Sequence, residues 1–483
     1  MSSTNKSIAQ GFAWTAVDRF SNLAIQFVIG IIIARLITPE EYGVLGILMV
    51  FINISQVFID SGFGSALIYK NKMDGDYLNT SFVFNLSVST LLFAIIILSA
   101  SYIESFFSLQ GLSDYLRVSS IVLITNSLIV VPSSILRIQL NFRAISISNV
   151  CSVIISGFLG IFFAYLGYGV WALIIQLLSK SVCQFFILYL ICKWIPKFAF
   201  NKNVFFELYR YGINIFGATC LTKFVDEGTS FFIGKVLTPY NLGVYSRGNQ
   251  FASLPGNTVG GVISTALFPS LSSIKNNASR FNEVYHKALE VQALLCTPAF
   301  VWLAVMADSL VRLLITEKWI DVVPVIQILC LSRIMSSAAV ATEQVLSAKG
   351  RSDLFLRQQI CKMITKFLLV VTCLPFGLMA VVIGEAISTI LVFFITNFFA
   401  RGVSDFRVGT QLKVIAPFIY CAFIGGGVAY WCVSFFENSL LKIVIGTIMM
   451  FFLYLLLLVS IGGKKTQLHD ICQLIKISNN GKA

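Results

Sequence analysis

From about residue 11 almost to its C-terminus, this chain is a succession of apolar runs of about 20 residues or more, separated by short polar stretches. Each run is long enough to cross a hydrocarbon layer of roughly 30 Å as a helix, the form that satisfies its own backbone polar groups there. A soluble chain of 483 residues would need more surface charge than is present, since 57% of the residues are hydrophobic and 12% charged. The runs fall at about 11–35, 42–63, 79–101, 115–136, 145–166, 169–192, 208–235, 241–271, 283–307, 322–348, 354–375, 377–400, 412–435 and 440–462. The expectation is an all-α, polytopic membrane protein with about 14 transmembrane helices.

An internal copy organises these helices. Ile33-Ala34-Arg35-Leu36-Ile37-Thr38-Pro39-Glu40-Glu41-Tyr42-Gly43-Val44 returns about 200 residues later as Ile233-Gly234-Lys235-Val236-Leu237-Thr238-Pro239-Tyr240-Asn241-Leu242-Gly243-Val244. Runs one to six and seven to twelve then form two six-helix lobes, each with an even number of crossings. A pseudo-twofold axis along the membrane normal should therefore relate them. The expected boundaries are 1–200 for the first lobe, 201–405 for the second, 406–463 for two C-terminal helices and 464–483 for a cytoplasmic tail. In that tail Ile471, Leu474 and Ile475 suit an amphipathic turn. The first run carries Asp18 and Arg19 and lacks a small-residue exit, so it reads as a retained span rather than a cleaved signal.

Local chemistry explains much of the repeated phrase. Thr38 suits a helix N-cap, Pro39 its first turn, Glu41 a capping box and Gly43 a close helix contact. Thr238 and Pro239 repeat the start, with Asn241 in place of the glutamate. Pro255-Gly256, the Gly256 to Gly260 spacing, Gly261 and Pro269 predict a bent eighth helix.

Basic residues provide the topology. With the N-terminus cytoplasmic, about 22 bases fall on that side and about six opposite (Arg35, Arg117, Lys235, Arg312, Lys318, Lys442). One span more or fewer would invert the bias beyond it, so both ends are expected in the cytoplasm. The net charge of +13 reflects this topology, and no folded basic domain suggests nucleic-acid binding.

An ionised side chain at mid-membrane costs about 2.5–3.5 kcal/mol on insertion scales, so the charges inside the runs are the functional candidates. The bases are Arg19, Lys180, Lys223, Arg247, Arg333, Lys362 and Lys366; the acids are Asp18, Asp60, Asp226, Glu227, Glu290, Glu343 and Glu385. Lys223, Asp226 and Glu227 share one helical face by their spacing. Seven against seven gives no net cationic cavity by counting. Structural ion pairs and a wet, polar interface between the repeats are both consistent with such a set.

Several classes are disfavoured. Gly462-Gly463-Lys464-Lys465-Thr466 lacks the first P-loop glycine, so ATP hydrolysis is not expected. Asp74-Gly75-Asp76 sits in a short loop with no nucleotide-binding domain, and the two histidines, His286 and His469, suggest no metal site. The eleven cysteines lie mostly within apolar runs without a C-x-x-C pair, as packing residues do. No catalytic residues, metal or cofactor are assigned. A polysaccharide polymerase would display a large outer loop, and all the outer loops are short.

Phrases along the chain carry a family resemblance: Gly11-Phe12-Ala13-Trp14; Ala34-Arg35-Leu36 with Pro39 and Tyr42-Gly43; Asp60-Ser61-Gly62-Phe63; Gly169-Val170-Trp171-Ala172-Leu173; Gly243-Val244-Tyr245-Ser246-Arg247; Phe268-Pro269; Lys318-Trp319 with Pro324; and Gly350-Arg351-Ser352-Asp353. In order and spacing they resemble Wzx-type polysaccharide flippases of the multidrug/oligosaccharidyl-lipid/polysaccharide exporter superfamily, nearest the branch of colanic and teichuronic acid exporters. Gly248 departs from the alanine expected after Arg247.

The resemblance implies two six-helix lobes in a V that alternate between inward- and outward-open forms. It also implies an undecaprenyl-diphosphate-linked oligosaccharide as substrate, within membrane lipids, and an ion gradient or membrane potential as the driving force. A bacterial inner-membrane location follows, beside a polymerase and chain-length regulator of a surface polysaccharide pathway. Arg19 and Arg247 carry over as substrate-binding residues because they sit in matching phrases. Lys180, Lys223, Arg333, Lys362 and Lys366 join them from depth alone, with Asp18, Asp60, Asp226, Glu227, Glu343 and Glu385 as coupling or ion-pair candidates. The nearest alternative is a multidrug/cation antiporter of the same superfamily, against which the intramembrane bases argue.

Overall fold

A computed structural model describes residues 3–461 except 61, 71–72, 262, 264–266, 268–269, 273, 275–276 and 402–407. Phe268-Pro269 and the tail with Ile471, Leu474 and Ile475 lie outside the described residues. All the regular structure described is helical. Twelve of the described helical segments are long and apolar enough to cross a membrane.

The chain divides into two compact units, Met1–Gly243 and Val244–Ala483. The first contains α1 (Ser3–Leu36), α2 (Pro39–Asp60), α3 (Phe63–Lys70), α4 (Gly75–Phe107), α5 (Leu112–Ser119), α6 (Ile121–Ile138), α7 (Phe142–Tyr165), α8 (Val170–Cys192) and α9 (Lys202–Val236). Here α7 packs on α8 and α1, α6 on α4 and α8, and α9 on α2. Gly167-Tyr168-Gly169 separates α7 from α8, where the apolar runs 145–166 and 169–192 meet.

The second unit holds most of α10 (Pro239–Pro255), then a π-helical turn (Gly256–Gly260), α11 (Ala278–Leu314), α12 (Val322–Ala348), α13 (Ser352–Cys373), α14 (Leu378–Ala400), α15 (Val408–Val433) and α16 (Ser439–Ile461). Its core is built on α11, which contributes the fully buried Phe281, Tyr285 and Phe300. The last two helices join this core: Gln411 Nε2 donates to Tyr285 Oη (2.9 Å), and Trp302 Nε1 donates to Thr447 Oγ1 (2.8 Å).

The expected seventh and eighth spans differ from the others. The helix α9 contains Glu207, Arg210, Lys223, Asp226, Glu227 and Lys235, and α10 is 17 residues long and stops at Pro255. Neither meets the length and hydropathy of the other twelve, so those two properties alone do not yield fourteen. Beyond Pro255 the winding loosens into a single π-helical turn. A proline cannot donate to the ladder, and π turns mark kinks.

The repeated phrase folds as its chemistry requires. The Thr38 N–H donates to Glu41 Oε2 (2.7 Å) and the Glu41 N–H to Thr38 Oγ1 (3.3 Å), closing a capping box. In the second copy the Asn241 N–H and Nδ2 both donate to Thr238 Oγ1 (3.3 and 2.9 Å), so the cap survives without the glutamate. Within the first unit the two copies touch reciprocally. A Cβ on Gly43 would lie 1.7 Å from the Pro239 carbonyl oxygen, and one on Gly243 would lie 1.8 Å from that of Pro39. Only glycine permits this approach.

Candidate functional site

Amides and carboxylates inside the first unit build its most developed polar feature, a cavity of about 430 Å³ lined by Gln56, Asp60, Asn126, Arg137, Gln184 and Thr219 among others. Hydrogen bonds order its walls. Gln56 Nε2 donates to Asp60 Oδ1 (3.2 Å), Asn126 Nδ2 to Gln56 Oε1 (2.8 Å), and Ser181 Oγ to Asn126 Oδ1 (2.5 Å). Gln184, also on the cavity wall, begins a second cluster: its Nε2 donates to Asn149 Oδ1 (2.7 Å), and Asn149 Nδ2 donates to Asp18 Oδ2 (3.2 Å). Asn22 Nδ2 donates to Asp18 Oδ1 (2.7 Å), while the buried Asn22 Oδ1 receives no hydrogen bond from the described residues. Two hydrogen-bonded clusters on five helices (α1, α2, α6, α7 and α8) thus reach the cavity wall, one through Gln56 and Asn126 and the other through Gln184, and the Arg137 guanidinium attracts both Asp18 and Asp60. Its polar walls can hold water or a charged group within helices otherwise suited to lipid.

The bases in this unit divide by partner. Lys180 on α8 and Lys223 on α9 are half-buried, and neither has an acid or acceptor partner among the described residues. Asp226 is exposed and likewise unpartnered among them. Lys223 and Asp226 therefore share a helix face without pairing with each other among the described residues. Glu227 instead accepts from Asn53 Nδ2 (2.9 Å) on α2. Arg19 is exposed on α1.

In the second unit the charges are engaged. Lys362 Nζ lies 2.5 Å from Glu343 Oε1, which also accepts from Gln358 Nε2 (3.2 Å). Lys366 Nζ lies 3.2 Å from Glu385 Oε1, and Tyr245 Oη donates to Glu385 Oε2 (2.6 Å). Arg333 donates to the Asn249 side chain (2.5 Å) and to Ser253 Oγ (3.0 Å), and it adds to the positive field on Glu385. Arg247 is 5% exposed; it donates to Gln250 Oε1 (2.7 Å) and its guanidinium sits 5.8 Å from the Trp319 ring centre.

Reading charges alone missed the amides that join Asp18 to the cavity, and Arg137 is not among the bases it singled out. The signal was present: Gln56, Asn126, Asn149 and Gln184 each interrupt an apolar run, and a polar side chain there needs a partner or a wet cavity.

Comparison with known proteins agrees with this architecture. The chain aligns with the lipid II flippase MurJ in an inward closed conformation at a TM-score of 0.75, covering 92% of this chain and 98% of that one at 15% identity. That likeness establishes the fold. The succinoglycan biosynthesis transport protein ExoT of Rhizobium meliloti (strain 1021) is 22% identical over 68% of this chain and 66% of its own length. The teichuronic acid biosynthesis protein TuaB of Bacillus subtilis (strain 168) is 24% identical over 73% of this chain and 74% of its own. The family model described as polysaccharide biosynthesis protein matches residues 32–324, more than half of the sequence, and the chain belongs to that family.

Proposed function

We propose that this protein is a flippase for lipid-linked oligosaccharides, moving a polyprenyl diphosphate that carries a sugar repeat unit from the cytoplasmic to the outer leaflet of the bacterial inner membrane by alternating access. Family membership supports the pathway. The observation that carries the transport reading is the ordered polar cavity among the membrane helices of the first unit. Moving one unpaired hydroxyl into hydrocarbon costs about 4–8 kcal/mol. A sugar unit with many hydroxyls needs a hydrated, hydrogen-bonding route, while its polyprenyl tail stays in lipid.

Lys180 and Lys223 suit the diphosphate because no described acid neutralises them. Asp18 and Asp60, each held by amides that reach the cavity, suit coupling to an ion gradient or the membrane potential. Both chain ends lie in the cytoplasm in this reading, and undecaprenyl diphosphate is the carrier. A polymerase and chain-length regulator act on the product.

Deletion of the gene tests the proposal. It should halt surface-polymer export and leave carrier-linked repeat units accessible only from the cytoplasmic leaflet. Unchanged polymer together with lost extrusion of cationic dyes would identify a drug antiporter instead.

A further inference from the structure

Between α8 and α9 the chain runs without helix and lies as a strap across the start of α4. Three hydrogen bonds pin it. The Lys197 N–H donates to Asn79 Oδ1 (3.0 Å), the Asn201 N–H to Thr80 Oγ1 (3.1 Å) and Asn201 Nδ2 to Asp76 Oδ2 (3.1 Å). Trp194 turns inward and meets Phe82 edge-on with ring centres 5.7 Å apart. The pinned backbone leaves the other apolar side chains facing out: Ile195 is 81% exposed, Phe198 82% and Phe200 52%. Lys193, Lys197 and Lys202 are exposed beside them, and residues 193–202 contain no Asp or Glu.

This combination suits one environment. In water the exposed rings would go unburied. In the hydrocarbon core the non-helical backbone would lack partners. At the headgroup level aromatic rings are favoured, and lysine stems extend so that their ammonium groups meet phosphate. The strap is continuous with α8 and is tied to α4, both long and apolar enough to span the bilayer, so it is held at the edge of that layer.

We propose that residues 193–202 form a docking site for anionic phospholipid headgroups, with Lys193, Lys197 and Lys202 on the phosphates and Ile195, Phe198 and Phe200 among the first acyl carbons. The strap is the covalent joint from α8 into α9. Anchored to α4 on one side and to lipid on the other, it sets the depth at which α9 begins. This goes beyond the flippase reading and does not depend on it.

The test uses the full chain with a photocrosslinking phenylalanine analogue in place of Phe198, reconstituted in vesicles of equal phosphatidylglycerol and phosphatidylcholine, with adducts identified by mass. A second site, Leu91, is 61% exposed at the middle of α4 and serves as the mid-helix reference. The expected result is an excess of phosphatidylglycerol adducts of about five-fold or more at position 198, the factor that one lysine contributes near an anionic surface, and no preference at position 91. Lys193→Gln, Lys197→Gln and Lys202→Gln together should remove the excess. Equal adducts of the two lipids at position 198, or adducts only with protein, would overturn the proposal. That comparison between positions needs no lysine variant and stands even if the triple variant fails to fold.

Discussion

At the residue scale, a buried charge in this protein is defined by what surrounds it. Glu385 has Lys366, Tyr245 and the field of Arg333, so Glu385→Ala leaves Lys366 without its carboxylate. Breaking such a pair costs about 3–5 kcal/mol, whereas replacing both partners with apolar residues costs far less. Thermal unfolding in detergent should therefore show a large loss for Glu385→Ala and a substantial recovery in Lys366→Met/Glu385→Leu. No recovery would mean that the pair is not the reason for the loss. Arg247 illustrates the limit of reading charge from sequence. Its matching phrase suggests that Arg247→Glu abolishes export in a folded protein, but the guanidinium packs near Trp319 and is almost fully buried. A carboxylate there faces the negative face of the ring, so the same variant should also unfold at lower temperature, by the same assay.

At the element scale, helix starts and close approaches carry the fold. The Thr38 cap is local chemistry, and Thr38→Ala should cost about 1 kcal/mol. Gly43 is a different case. Its substitution by alanine drives a Cβ into the Pro239 carbonyl, so Gly43→Ala should destabilise by about 1–3 kcal/mol, measurable as a lower unfolding midpoint. Gly248 has a similar explanation. The resemblance calls for alanine, yet a Cβ here would sit 2.4 Å from Val325 Cγ1. Gly248→Ala should therefore destabilise, and Val325→Ala should restore only part of the midpoint because the Cβ at 325 still lies 2.8 Å away; no recovery at all would reject this account. The caps were legible in sequence because their partners lie three residues away. Neither glycine contact was fully legible, because its partner is far along the chain.

At the scale of the whole molecule, the two units use their polar residues differently. In the second, Lys362 and Lys366 hold ion pairs, and in the first, Lys180 and Lys223 have no described partner. Lys180→Gln with Lys223→Gln should reduce polymer export by ten-fold or more while leaving the unfolding midpoint almost unchanged. Lys362→Met should lower the midpoint, since it strands Glu343. Normal export from the double variant would remove both lysines from the substrate path. Residue order was enough to specify a helical membrane protein with an internal copy and capped helix starts, because hydropathy and capping act over one turn or one bilayer thickness. The packed fold settled which buried charges are paired, which amides bring Asp18 and Asp60 to one cavity and why Gly248 is not alanine. Those facts depend on groups brought within a few ångströms from distant points in the chain, and no local pattern encodes such distances.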